Sequence, residues 1–111
     1  MQYMLLIYGN ENGASEGGDD VLMRYGAFTQ EVRDSGKLVA ADRLRPTADA
    51  TTVRIRNGET LVTDGPFAET KEQLGGYYVL ECANIDEALE YAAKIPAAED
   101  GSIEVRPVWA M

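Results

Sequence analysis

The chain has 111 residues, enough for one domain core and too few for two. A hydrophobic share of 45% beside 26% charged residues excludes a disordered tail and a membrane span, and a net charge of −9 argues against a phosphate backbone as ligand. There is no histidine and Cys82 is the one cysteine, so a histidine-based triad, an internal disulfide and a cysteine-rich zinc site are all excluded, and no metal or cofactor is expected.

Residues 3–8 are apolar on both alternating faces, Tyr3, Leu5 and Ile7 on one and Met4, Leu6 and Tyr8 on the other, which predicts a central strand covered on both sides. The run has no basic flank and is shorter than a signal-peptide core. With a single cysteine, this predicts a reducing, cytoplasmic compartment. Residues 9–20, rich in Gly, Asn and acids, read as a loop, with Asp19 or Asp20 as N-cap of the next element. Leu22, Tyr25, Phe28, Thr29 and Val32 recur at helical spacing, and Gly36 is placed as a left-handed stop.

Residues 37–44 predict a second strand, closed by Pro46. Residues 51–56 and 59–63 flank Asn57-Gly58, the pair best suited to a two-residue hairpin turn. Residues 77–82 predict another strand. Asn84 and Glu87 have capping-box spacing before a helix whose face is Ala88, Leu89, Ala92 and Ile95, ended by Pro96. Residues 103–109 predict a last strand with Pro107 at an edge or bulge. The order is an α+β, ferredoxin-like split βαβ arrangement with an inserted hairpin, in one domain over residues 1–111. Both helices then cover one sheet face. The apolar residues of the other predict sheet-on-sheet homodimerisation, against the alternative of a monomer covered by its own loops.

The densest run of functional groups is Asp64-Gly65-Pro66-Phe67-Ala68-Glu69-Thr70-Lys71-Glu72-Gln73-Leu74-Gly75-Gly76. Pro66 fixes φ beside a permissive Gly65, and Gly75-Gly76 permits a close backbone approach. This run resembles the hallmark of the DGPF (DGPFAETKE) branch of the YCII-related family, and the likeness extends to residues 3–8, 50–56, 86–90 and 101–108. The resemblance implies a dimeric α+β barrel. It also implies a regulatory alternative, a noncatalytic interaction module associated with an extracytoplasmic-function sigma factor. The His and Asp pair attributed to other YCII-like proteins has no histidine here to carry it.

From the residues themselves, Asp64 is a candidate general base, with Phe67, Glu69, Lys71 and Arg54 as candidates to hold a small polar or anionic ligand near the subunit boundary. Against this, Asp64 reads as a turn carboxylate accepting backbone N–H bonds, and Glu69, Lys71 and Glu72 as an ion-pair set. Arg43, Arg45, Arg54 and Arg56 crowd one stretch. Arg54 and Arg56 share a strand face and are expected to be solvated and paired with nearby acids. Cys82 reads as a small buried apolar residue. A dimeric domain with a small-molecule site near the Asp64 loop is the leading reading, and the noncatalytic module is the second.

Overall fold

The computed structural model describes residues 1–11 and 18–110. Its elements are β1 (Gln2–Gly9), α1 (Gly18–Asp34), β2 (Leu38–Arg43), β3 (Thr51–Arg56), β4 (Glu59–Asp64), β5 (Gln73–Glu81), α2 (Ile85–Ala92) and β6 (Ser102–Pro107), with 3₁₀ turns at Thr47–Asp49 and Pro96–Ala98. Four antiparallel strands pair in the order β2-β5-β1-β6, and β3 and β4 form a separate two-stranded ribbon. This is the ferredoxin-like α+β arrangement with an inserted hairpin.

β1 is central because it can be buried from both sides. Leu5 lies opposite Tyr78 on β5 and Val105 on β6, and it is wholly buried. Tyr3, Leu5, Tyr78, Leu80 and Cys82 form the sheet side of the core, against Phe28 and Val32 of α1, Ala88 and Ala92 of α2, and Ile95. Phe28 meets Tyr78 edge-on at 5.0 Å between ring centroids, and the Tyr78 and Thr29 hydroxyls hydrogen-bond at 2.7 Å. Cys82 is 2% exposed, and burial pushes its thiol pKa up.

Local signals fix the element ends. Gly36 adopts φ +75° and donates its N–H to Arg33 O, while Lys37 N–H reaches Val32 O, so two terminal carbonyls of α1 are satisfied. Asn57 and Gly58 take φ 53° and 78°, the two positive values that a tight hairpin turn needs. Asn84 Oδ1 accepts the Glu87 N–H at 3.0 Å, and the Glu87 carboxylate accepts the Ala83 N–H at 2.9 Å and pairs with Lys37 Nζ at 3.1 Å.

Four expectations are corrected. Asp19 and Asp20 stand in the first turn of α1, where their charges face the positive end of the helix dipole, because the helix already begins at Gly18. Leu22 and Leu89 are exposed, since burial in α1 is confined to its C-terminal half and Leu89 lies on the flank of the Ala88-Ala92 stripe. β5 begins at Gln73, four residues before the expected 77, and runs through Gly75 and Gly76. β6 ends at Pro107, which lacks the donor to continue and sits on an edge strand, as proline must. The expected loop at 9–20 lies in part outside the described residues.

The second sheet face carries Met4, Leu6, Tyr8 and Tyr77, each half-buried, around Val79, which is 8% exposed, and the helices pack on the opposite face. The molecule measures 47 × 40 × 18 Å, two layers thick, and its radius of gyration of 15.9 Å exceeds the roughly 13 Å of a compact chain this long. Among the described residues no helix is long and apolar enough to cross a membrane.

Asn84→Ala is expected to cost about 1 kcal/mol, measured by urea unfolding. The Ala83 N–H and the Lys37 ammonium hold Glu87 below its ordinary pKa. Its contribution is therefore present above the unfolded carboxylate value and is lost as pH falls through the lower folded value. Glu87→Gln should remove that part of the pH dependence, so wild type and variant, distinct at pH 7, should converge in stability as the pH falls through the folded value.

Candidate functional site

The segment from Asp64 to Gly76 leaves the end of β4 and enters β5, and its backbone is held from three sides. At the hairpin base, Gly65 takes φ +102°, which a side chain would resist, and donates its N–H to Ala50 O at 2.7 Å. The Thr52 hydroxyl donates to Gly65 O at 2.8 Å, and Arg54 Nη2 donates to Phe67 O at 3.1 Å. Further on, the Thr70 hydroxyl donates to Glu72 O at 2.6 Å and the Gln73 amide donates to Thr70 O. Gln73 Oε1 in turn accepts the Glu11 N–H at 3.0 Å, and the Ser102 hydroxyl donates to Glu72 Oε1 at 2.8 Å.

Of the side chains singled out in the sequence, all but Arg54 are left over. Asp64, Glu69 and Lys71 are exposed and make no hydrogen bond or ion pair among the described residues, and Phe67 is 77% exposed. The expectation that Asp64 accepts bonds within its turn is corrected: Thr52 and Gly65 close the turn, and the carboxylate stays outside it. No ion-pair set joins Glu69, Lys71 and Glu72, because Glu72 turns to Ser102. Arg54 and Arg56 do share a face of the ribbon, yet neither pairs with an acid among the described residues, although Glu59 stands opposite Arg56. Arg54 reaches the Phe67 carbonyl and Arg56 the carbonyl of Ile55.

The C-terminal end of the segment borders a hollow of about 500 Å³ lined by Glu11, Arg43, Leu44, Arg45, Pro46 and Gly75. Its walls meet tightly: Leu44 N–H donates to Gly75 O at 2.9 Å, and a Cβ on Gly76 would stand 2.9 Å from Asp42 O. Two of its charges are already engaged. Arg45 pairs with Asp49 at 2.9 Å, and Glu11 takes both the N–H and the hydroxyl of Thr47 at 2.9 and 2.6 Å. The Arg43 guanidinium has no hydrogen bond or ion pair among the described residues, so the hollow presents an available cation. Sequence reasoning named Arg43 and Arg45 but missed Glu11, whose unpatterned neighbourhood carries no local signal, and Gly75 as a wall. A second hollow of about 430 Å³, lined by Met1, Pro107, Val108, Trp109 and Ala110, lies at the other end of β1. Among the described residues no three His, Cys, Asp or Glu side chains converge as a metal site.

The family model of the YCII-related domain matches residues 1–111, and the chain belongs to that family. An uncharacterized protein of Rhizobium meliloti (strain 1021) is 44% identical over 114 residues, covering 97% of this chain and 92% of the relative. A solved structure of 5-chloro-2-hydroxyhydroquinone dehydrochlorinase from Burkholderia phenoliruptrix AC1100, in complex with 2,5-dihydroxybenzoquinone, aligns with a TM-score of 0.58 at 12% identity, covering 98% of this chain and 94% of that one. That likeness is one of fold.

Arg54→Ala removes the guanidinium bond to Phe67 O and should speed thermolysin cleavage between residues 65 and 72 severalfold. The melting temperature should stay within about 2 °C, because an exposed loop opens below the global unfolding threshold. Gly76→Ala should cost about 1–3 kcal/mol, since the new methyl group drives β2 off β5.

Proposed function

We propose that this YCII-related domain acts as a homodimer that binds a small polar or anionic molecule on the segment 64–76, with Asp64, Phe67, Glu69, Lys71 and Arg54 at one end and the Arg43 hollow at the other. One observation carries the reading. The backbone of the segment is tied down by bonds from Thr52, Arg54, Thr70 and Gln73, and the Glu72 side chain by Ser102, while Asp64, Glu69 and Lys71 project without a partner among the described residues. Fixing a path while leaving charged groups unsatisfied is the arrangement a ligand completes, because the ordering cost is met before binding.

The uncovered sheet face supports the dimer. The half-buried Met4 and Leu6 give it an apolar centre beside the buried Val79, and a second sheet packed on it would complete a barrel of two copies. Asp64 is exposed in one protomer, so a second surface has to come from the partner to take it out of water. The fold neighbour's complex with a dihydroxybenzoquinone supports the capacity of this fold to hold a small oxygenated molecule. Asp64 as general base is the catalytic form of the reading, and it requires that second surface to exclude water.

Thermal shift against a panel of small carboxylates, phosphates and phenolates tests the site. A ligand at a hundred times its Kd adds about 2.7 kcal/mol, roughly 10 °C for a domain this size. Asp64→Asn and Lys71→Ala should melt like the wild type when empty and lose most of the shift. Equal shifts in all three proteins would take both residues out of the site. For the dimer, Leu6→Glu should halve the sedimenting mass, since it puts a charge at the centre of the uncovered face and leaves the helix-side core intact.

A further inference from the structure

The ribbon of β3 and β4 is the part of the chain least accounted for by its own fold. Its register places Val53 opposite Val62 and Ile55 opposite Thr60 on one face. Val53, Ile55 and Val62 are 60%, 66% and 65% exposed, and the ribbon belongs to a sheet of its own, hydrogen-bonded to neither edge of the larger one. A lone two-stranded ribbon is marginal in water, and a row of branched apolar residues facing solvent makes it more so.

We infer that this apolar ribbon face is a clasp that closes on a second copy of the same chain, adding a second contact area to the dimer. The inference rests on the dimeric reading above. Size selects the occupant. Each such side chain carries on the order of 100 Å² of apolar area, so the three offer about 200 Å² at their observed exposure. That is about a quarter of the ~800 Å² that each partner brings to a standard interface, too little to hold a separate protein and enough to reinforce one already docked alongside. In a two-fold dimer the contact is made twice.

Charge points the same way. The ribbon from Thr51 to Thr63 holds Arg54 and Arg56 against the single acid Glu59, within a chain of net charge −9. The whole negative excess therefore lies in the body, and the face of Val53, Ile55 and Val62 meets another copy without bringing an acid to it, while Arg54 and Arg56 stand on the opposite face of the ribbon. The ribbon's base is the turn at Gly65 that also carries Asp64. A clasped ribbon thus fixes the start of the candidate binding segment through the second subunit.

The test pairs dilution sedimentation with hydrogen exchange on the full chain. The triple variant Val53→Thr, Ile55→Thr, Val62→Thr keeps branched, strand-forming side chains at exposed positions and should fold. Its dimer is expected to dissociate at a concentration at least tenfold higher than the wild type. Exchange in the 51–64 peptide should be slow in wild-type dimer and fast in Leu6→Glu, in which the sheet contact is broken. Equal dissociation of triple variant and wild type, with exchange in the ribbon indifferent to dilution, would overturn the clasp and leave the sheet dimer standing. Wild-type protein monomeric at every concentration would overturn both.

Discussion

Everything else in this molecule hangs on the burial of β1 between β5 and β6. Leu5 is shielded by Tyr78, Val105 and the two helices, and apolar burial of this kind is the largest favourable contribution a chain of this size commands. With β1 and β5 in the centre, the β1-α1-β2 unit crosses over β5 and the β5-α2-β6 unit crosses over β1. The antiparallel order β2-β5-β1-β6 follows, with both helices on one side. It also leaves β1 with a second apolar face, so the core of the protomer and the face without a helix come from the same six residues.

What was legible in the sequence was local. Asn57-Gly58, Gly36 and the Asn84/Glu87 pair each act within a few residues, and each ends or begins an element where expected. What escaped was set by distant chain. Gly76 lies inside a strand because β2 passes so near that a Cβ would meet Asp42 O, a fact no window around Gly76 contains. Leu22 and Leu89 keep helical spacing, yet how far each helix overlaps the sheet decides their burial.

The candidate site divides in the same manner. The composition of 64–76 announced a constrained segment, and the constraint is there, but its agents are remote: Thr52 and Arg54 from the ribbon, Ser102 from β6 and Glu11 through Gln73. Arginines in an acidic chain read naturally as ion-pair partners. Arg54 instead spends its hydrogen bond on a carbonyl, because the chain reversal at Gly65 returns the backbone within its reach. Electrostatics in this protein thus serve to aim a loop as much as to neutralise charge.

The lone thiol supplies a gauge of that architecture. Cys82 follows the last residue of β5, its N–H bonded to Met1 O at 3.0 Å and its sulfur closed in by the helix layer. A thiol that is both covered and poorly ionised reacts with alkylating agents only when the structure parts around it. The rate at which Cys82 becomes modified therefore counts openings between helices and sheet, and it does so from the helix side of the sheet, opposite the face of Met4 and Leu6.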